Sequence, residues 1–218
     1  MTADSDDLRD RLVLAAARHA AAEGWVPAAI RAGAAEIGID EAEARRLLRG
    51  GPRELFRAFS DWADARMAEA LEAGGGRNPR LSGRVESAVL ARLGALEPWR
   101  DSVRRGVAFA GLPQNAALAV ACYCRTVDRI WRAAGDRSHD FSFYTKRALL
   151  AGVLGATTLV WLDDRSEGGE VTRAFLRRRL ADVLRIQKLR AGAERLSRRL
   201  SEPLRPPAGL RRRRSSIF

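Results

Sequence analysis

With 218 residues, 46% of them hydrophobic, the chain is long enough to bury a sizeable core and too rich in aliphatic side chains to be disordered. Its formal charge of +12 is concentrated at one end: from Val171 to Phe218 fifteen Lys and Arg stand against three acids, Asp182, Glu194 and Glu202, so the rest of the chain is balanced. A basic appendage on a neutral body suits an anionic surface, either membrane headgroups or nucleic acid, and the acidic opening MTADSDDLRD reads as neither a secretory signal nor a transit peptide.

No period-two pattern of strands is present, and alanine, leucine, arginine and glutamate dominate, so the chain is expected to be all-α, with about nine or ten helices for its length. The first helix is predicted over Asp7–Glu23, with Leu8, Leu12, Ala15, Ala16 and His19 on one stripe. Gly24 ends it, and Pro27 suits the first turn of a second helix running to Ile37. Gly38 is a C-cap; Asp40 is an N-cap with Glu43 three residues on, a capping box opening a short helix to Leu48. Gly50-Gly51 breaks the pattern, and Pro52 starts a long helix through Leu71.

GGGRNP, Gly74 to Pro79, is the clearest internal hinge. Further helices are predicted at Leu81–Leu96, Pro98–Ala110, Pro113–Ala134, Phe141–Asp163 and Gly169–Arg185, then at Gln187–Leu200 before Pro203, Pro206 and Pro207 stop helix formation. The implied organisation is an N-terminal helix-turn-helix-like subdomain over 1–73, a helical body over 74–186, an amphipathic helix over 187–203 and a basic tail over 204–218. Short helices followed by a long one and a larger body resemble the plan of TetR-type regulators, a TetR-like helical bundle whose second and third helices form a helix-turn-helix.

DNA reading needs basic or amide groups near the start of the recognition helix. In GIDEAEARRLLRGG, Asp40, Glu41 and Glu43 occupy that turn, and Arg45, Arg46 and Arg49 come only at the far end. An amphipathic packing helix fits this charge order better than a reader of base edges.

Catalytic spacing is absent. His19 and His139 lack a partnered Cys, Ser or carboxylate, and no metalloprotease, nucleophile-elbow, P-loop or dinucleotide motif occurs, so no enzyme activity and no cofactor are expected. Cys122 and Cys124, in C-Y-C, cannot close an unstrained disulfide within a helix and offer too few ligands for zinc; they read as reduced, buried thiols. Asp61, Asp64, Asp163 and Asp164 read as caps and surface charges.

From Ala148 to Leu162 fifteen residues carry no charge, bracketed by Lys146-Arg147 and Asp163-Asp164. That falls short of the roughly twenty a bilayer span needs, so the stretch is a core helix. Gly152 and Gly155 within it point to close approach of a neighbouring helix or a ligand. Towards the end, Leu189, Ala193, Leu196 and Leu200 form one helical stripe among Lys188, Arg190, Arg195, Arg198 and Arg199. Such a helix suits the plane of an anionic membrane, the alternatives being a solvated basic helix or one docked on its own domain. The run Arg211–Arg214 could bind nucleic acid without reading sequence.

Two stretches, GGPRELFRAFSDWADARMAEAL and RTVDRIWRAAGDRSHDFSFYTKRALLAGVLGATTLVWLDD, resemble the ubiquinone-biosynthesis accessory proteins of the Coq-nine type, and the resemblance runs from about Arg11 to Gln187. It implies a TetR-like fold that has lost its DNA role, a homodimer, and an apolar cavity for isoprenoid lipid or a ubiquinone precursor. On that implication Val120, Cys122, Val127, Trp131, Leu149, Val153, Leu154 and Thr157 are the candidate lipid-binding residues, although periodicity does not separate a cavity from a packed core. The resemblance further implies a docking patch for the di-iron hydroxylase of ubiquinone synthesis at Asp140, Phe143, Tyr144 and Arg147. There Ser142 stands for the family's Asn, and Phe143 for its Trp, keeping the ring but lacking the indole N–H. Lys188, Leu189, Arg195, Leu196, Arg199 and Leu200 would meet the anionic membrane. The expected location is the bacterial cytoplasm, peripheral on the inner membrane, or the mitochondrial inner membrane in a eukaryote.

Overall fold

The computed structural model describes residues 3–74, 80–135, 142–183 and 185, and among these every regular element is helical. In chain order they are α1 (Ala3–Glu23), α2 (Pro27–Ile37), α3 (Glu41–Leu47), α4 (Gly51–Ala73), α5 (Leu81–Ala95), α6 (Arg100–Ala110), α7 (Ala116–Ala133) and α8 (Ser142–Asp163). A further helix, α9, covers 170–183. The chain divides into two compact units, Met1–Leu180 and Ala181–Phe218, and the boundary expected at 73/74 falls inside the first.

Local chemistry sets the N-terminal elements. Gly24 takes φ +85°, a left-handed value that suits glycine, and so ends α1. Pro27 stands in the first turn of α2. Gly38 closes α2 in the left-handed region, its N–H and that of Ile39 reaching the carbonyls of Ala35 and Ala34 in a Schellman pair. The Asp40 carboxylate accepts from the Glu43 N–H at 2.7 Å, the forward half of the expected capping box. Two expected helices begin differently: Glu97–Trp99 and Pro113–Asn115 are single 3-10 turns ahead of α6 and α7. The helix pair they belong to bends by 98°.

α1 and α2 meet at backbone distance. Leu12, Ala15, Ala16 and Ala20 are fully buried, and a Cβ placed on Gly33 would come 2.5 Å from the Ala16 nitrogen. His19, expected on this stripe, lies half-exposed and pairs with Glu36. α6 is pinned across α1: the Ser102 hydroxyl donates to the Ala17 carbonyl at 2.7 Å, and the Trp25 indole donates to the Ser102 carbonyl at 3.0 Å. Arg105 lies against the last carbonyls of α1, where a cation offsets the helix dipole.

α8 buries Leu150, Val153, Leu154, Thr157, Trp161 and Leu162 while leaving Leu159 exposed, so its uncharged run is apolar on both the inner and outer faces. Of its two glycines only Gly155 meets a neighbour; a Cβ there would reach 2.9 Å from the Tyr123 hydroxyl, whereas Gly152 faces open space. No single described helix is long and apolar enough to cross a membrane.

Candidate functional site: an apolar cavity against a buried charge cluster

α4, α6 and α7 enclose a cavity of about 370 Å³, within the usual range for small-molecule sites. Its wall is mostly apolar. Phe56, Phe59 and Ala63 come from α4, one turn apart on one face, and Gly106 and Val107 from α6. Trp25 closes one side, edge-on to Phe56 with ring centroids 5.4 Å apart and tilted against Phe59 at the same distance. This aromatic cluster continues through Phe109, Trp62 and Trp99. Gly106 is there for want of space: a Cβ would approach the Trp25 indole nitrogen to 3.2 Å.

The polar groups at the cavity are few. Arg92 of α5, Ser60 of α4 and Thr126 of α7 all line it. Behind them lies Asp64, 2% exposed, which contradicts its reading as a surface charge. Its Oδ1 accepts from Arg92 Nε at 2.7 Å, its Oδ2 from Arg129 Nη1 at 3.1 Å, and both oxygens from the Thr126 hydroxyl. Asp61, one turn earlier and half-exposed, pairs with Arg129 at 3.0 Å. Thus F-S-D-W-A-D on α4 and R-T-V-D-R-I-W on α7, far apart in sequence, meet through Asp64, Thr126 and Arg129. A buried carboxylate so paired is costly to strand, and it fixes α4, α5 and α7 in one register.

Tyr123 also lines the cavity and donates to the Ala151 carbonyl at 2.6 Å; burial pushes its phenol up to about 12, so it stays a proton donor at neutral pH. Cys122 is buried, and that burial raises its thiol above the ordinary value, while Arg125 donates to its sulfur at 3.2 Å. Cys124 is exposed, a correction to the reading of both thiols as buried.

Of the eight residues expected to bind lipid, Val120, Cys122 and Leu154 line the cavity. Val127, Trp131, Val153 and Thr157 are buried elsewhere in the core, and Leu149 is half-buried. The aromatic wall of Trp25, in the turn after α1, and Phe56 and Phe59 of α4 lies outside the sequence expectation; the Phe56/Phe59 pair at helical spacing is its sequence signal. In the expected docking patch, Arg147 is part-buried and forks onto Asp128 Oδ1, with Nε at 3.0 Å and Nη2 at 2.6 Å. Phe143 and Tyr144 lie in the first turn of α8, their side chains outside what is described, as is all of Asp140. Lys188, Leu189, Arg195, Leu196, Arg199 and Leu200 also lie outside the described residues.

Beyond the cavity, Asp164 anchors the turn from α8 to α9. Its Oδ1 accepts from the Ser166 N–H and hydroxyl at 2.8 and 2.6 Å, its Oδ2 from the Thr172 N–H and hydroxyl at 2.8 and 2.5 Å. Burial acts to raise this carboxyl, but the four hydrogen bonds outweigh it and hold it well below the usual range.

The helix-turn-helix geometry supplies no free basic start. α3 opens with exposed Glu41, which holds Arg45 at 2.7 Å, so one of the few arginines on this helix is already neutralised.

The COQ9 family matches residues 116–187 of this chain. The human ubiquinone biosynthesis protein COQ9, mitochondrial, is 31% identical over 82% of this chain and 58% of its own length. The Drosophila melanogaster protein of the same name is 31% identical over 87% of this chain and 59% of its own length. This chain therefore spans less than two thirds of these curated relatives. Among solved structures, a TetR transcriptional regulator from Nitrosomonas europaea ATCC 19718 aligns with a TM-score of 0.67 at 28% identity, covering 82% of this chain and 98% of that one.

Proposed function

We propose that this chain, matched by the COQ9 family over 116–187 and 31% identical to the human COQ9 protein, is a member of that family and serves ubiquinone biosynthesis without catalysing a step itself, as a protein that holds isoprenoid lipid or a ubiquinone precursor and presents it to the di-iron demethoxyubiquinone hydroxylase. The cavity between α4, α6 and α7 carries this reading: about 370 Å³, walled by aromatic and aliphatic side chains. It suits a hydrophobic tail far better than a polar metabolite.

Three further parts complete the proposal. Asp140, Phe143, Tyr144 and Arg147 form the hydroxylase patch, in line with the preference of interfaces for aromatics and arginine. The stripe of Leu189, Leu196 and Leu200, with Lys188, Arg195 and Arg199 beside it, lies on an anionic membrane, as the mitochondrial relatives and the basic end of the chain favour. The protein acts as a homodimer, for which Leu159 on α8 and Val171 on α9, each more than half exposed, supply an apolar face.

The test is a titration of the full chain with a short-tailed ubiquinone analogue, followed by quenching of tryptophan fluorescence, since Trp25 lines the cavity. Saturable quenching is expected; its absence overturns the reading. A chain ending at Arg185 is expected to lose sedimentation with anionic vesicles, and Phe143→Ala to weaken hydroxylase capture with the fold intact.

A further inference from the structure

We infer that the cavity takes its lipid head-first: an oxygen-bearing polar head seats against the Arg92 guanidinium at the inner end, and the apolar tail leaves between Val107 and Val120. This rests on the lipid-binding reading above and adds to it the orientation and the chemistry of the head.

α7 gives the cavity its direction. Val120 is 62% exposed and Thr126 is 2% exposed, and both line the space. The six residues between them rise about 9 Å along the helix. Val107 of α6, 43% exposed, joins Val120 at the open end. The open end is therefore apolar, and the polar groups lie inward.

Arg92 supplies the recognition. Its Nε is committed to Asp64, itself fixed by Thr126 and Arg129, so the guanidinium plane is held in place. Its two Nη groups have no acceptor among the described residues, and the side chain is only 13% exposed. Ser60, one turn before Asp64 on α4, brings a hydroxyl to the same cavity. These N–H groups reach solvent through the cavity, and an incoming oxygen that replaces water there gains a charge-assisted hydrogen bond in a largely apolar setting. Ring oxygens of a quinone or phenol satisfy this chemistry, as does a carboxylate, which adds charge. A plain hydrocarbon satisfies none of it.

The experiment uses the full chain and three probes displacing a bound fluorescent lipid: a decyl ubiquinone analogue, decanoic acid and decane. At least one head-bearing probe is expected to bind about tenfold or more tighter than decane, the worth of one charge-assisted hydrogen bond. Preference for the analogue assigns ring oxygens to the seat, and preference for the acid assigns a carboxylate. Arg92→Met is expected to erase that preference and leave decane unchanged; Asp64 keeps Arg129 and Thr126 in that variant. Should Arg92→Met fail to melt cooperatively, Arg92→Lys and Ser60→Ala replace it, each expected to reduce the preference without touching decane. Equal binding of all three probes, or an equal loss for all three in the variants, overturns the head-first seat while lipid binding stands. Failure of every probe to bind the unaltered chain overturns both.

Discussion

Arg92 and Asp64, 28 positions apart on α5 and α4, meet through a 2.7 Å bond from Nε to Oδ1, with the carboxylate side chain 1% exposed. The pair is both a joint of the bundle and the polar end of an apolar cavity. A structural charge, that of Arg92, thereby comes to face the cavity.

Replacing Asp64 by Asn leaves Arg92, only 13% exposed, without its counter-charge, while Arg129 keeps Asp61. A loss of about 3 kcal/mol is expected, since breaking a buried pair from one side strands the other. Urea unfolding followed by circular dichroism measures it.

Gly33→Ala tests the α1–α2 crossing. The added methyl falls 2.5 Å from the Ala16 nitrogen, a backbone atom that gives way only if the helices part. Overpacking of this kind costs about 1–3 kcal/mol, read as a lowered Tm.

Asp164→Asn tests the α8–α9 turn, and its sign follows from the lowered carboxyl. A carboxylate stabilised by folding contributes at neutral pH, and the contribution fades as pH falls below about 4. The variant is expected to melt below the unaltered protein at pH 7, with the gap narrowing as the solution is acidified through the carboxylate range. A gap independent of pH contradicts this.

DNA binding is expected to be weak and without sequence preference. α3 starts on Asp40, Glu41 and Glu43, with Glu41 holding Arg45. Any mobility shift with random duplex should vanish as salt rises, the mark of charge alone. A salt-resistant shift with one sequence would contradict it.

Much of the fold was legible in the sequence because its signals are local. Pro27, Gly38 and Asp40 placed α2 and the start of α3, and the hydrophobic stripe placed α1. The predicted start at Asp7 falls four residues inside the observed one at Ala3, since acidic residues in a first turn continue a helix as readily as they precede one. The cavity was only partly legible. Helical periodicity marks which face is buried but not where a buried face fails to meet its neighbour, so Val127 and Thr157 look the same in sequence as Leu154. The burial of Asp64 is illegible in the sequence for a related reason: its partners lie 28, 62 and 65 positions away, and a lone mid-helix carboxylate carries no sign of them.

The central claim is that the cavity holds lipid. Mass spectrometry of lipid extracted from the purified full chain tests it most directly, beside Ala119→Trp, which places an indole in the cavity from its half-buried wall. An isoprenoid quinone or quinone precursor is expected with the unaltered chain and not with the equally folded variant. No lipid in either preparation, or the same lipid in both, would contradict the claim.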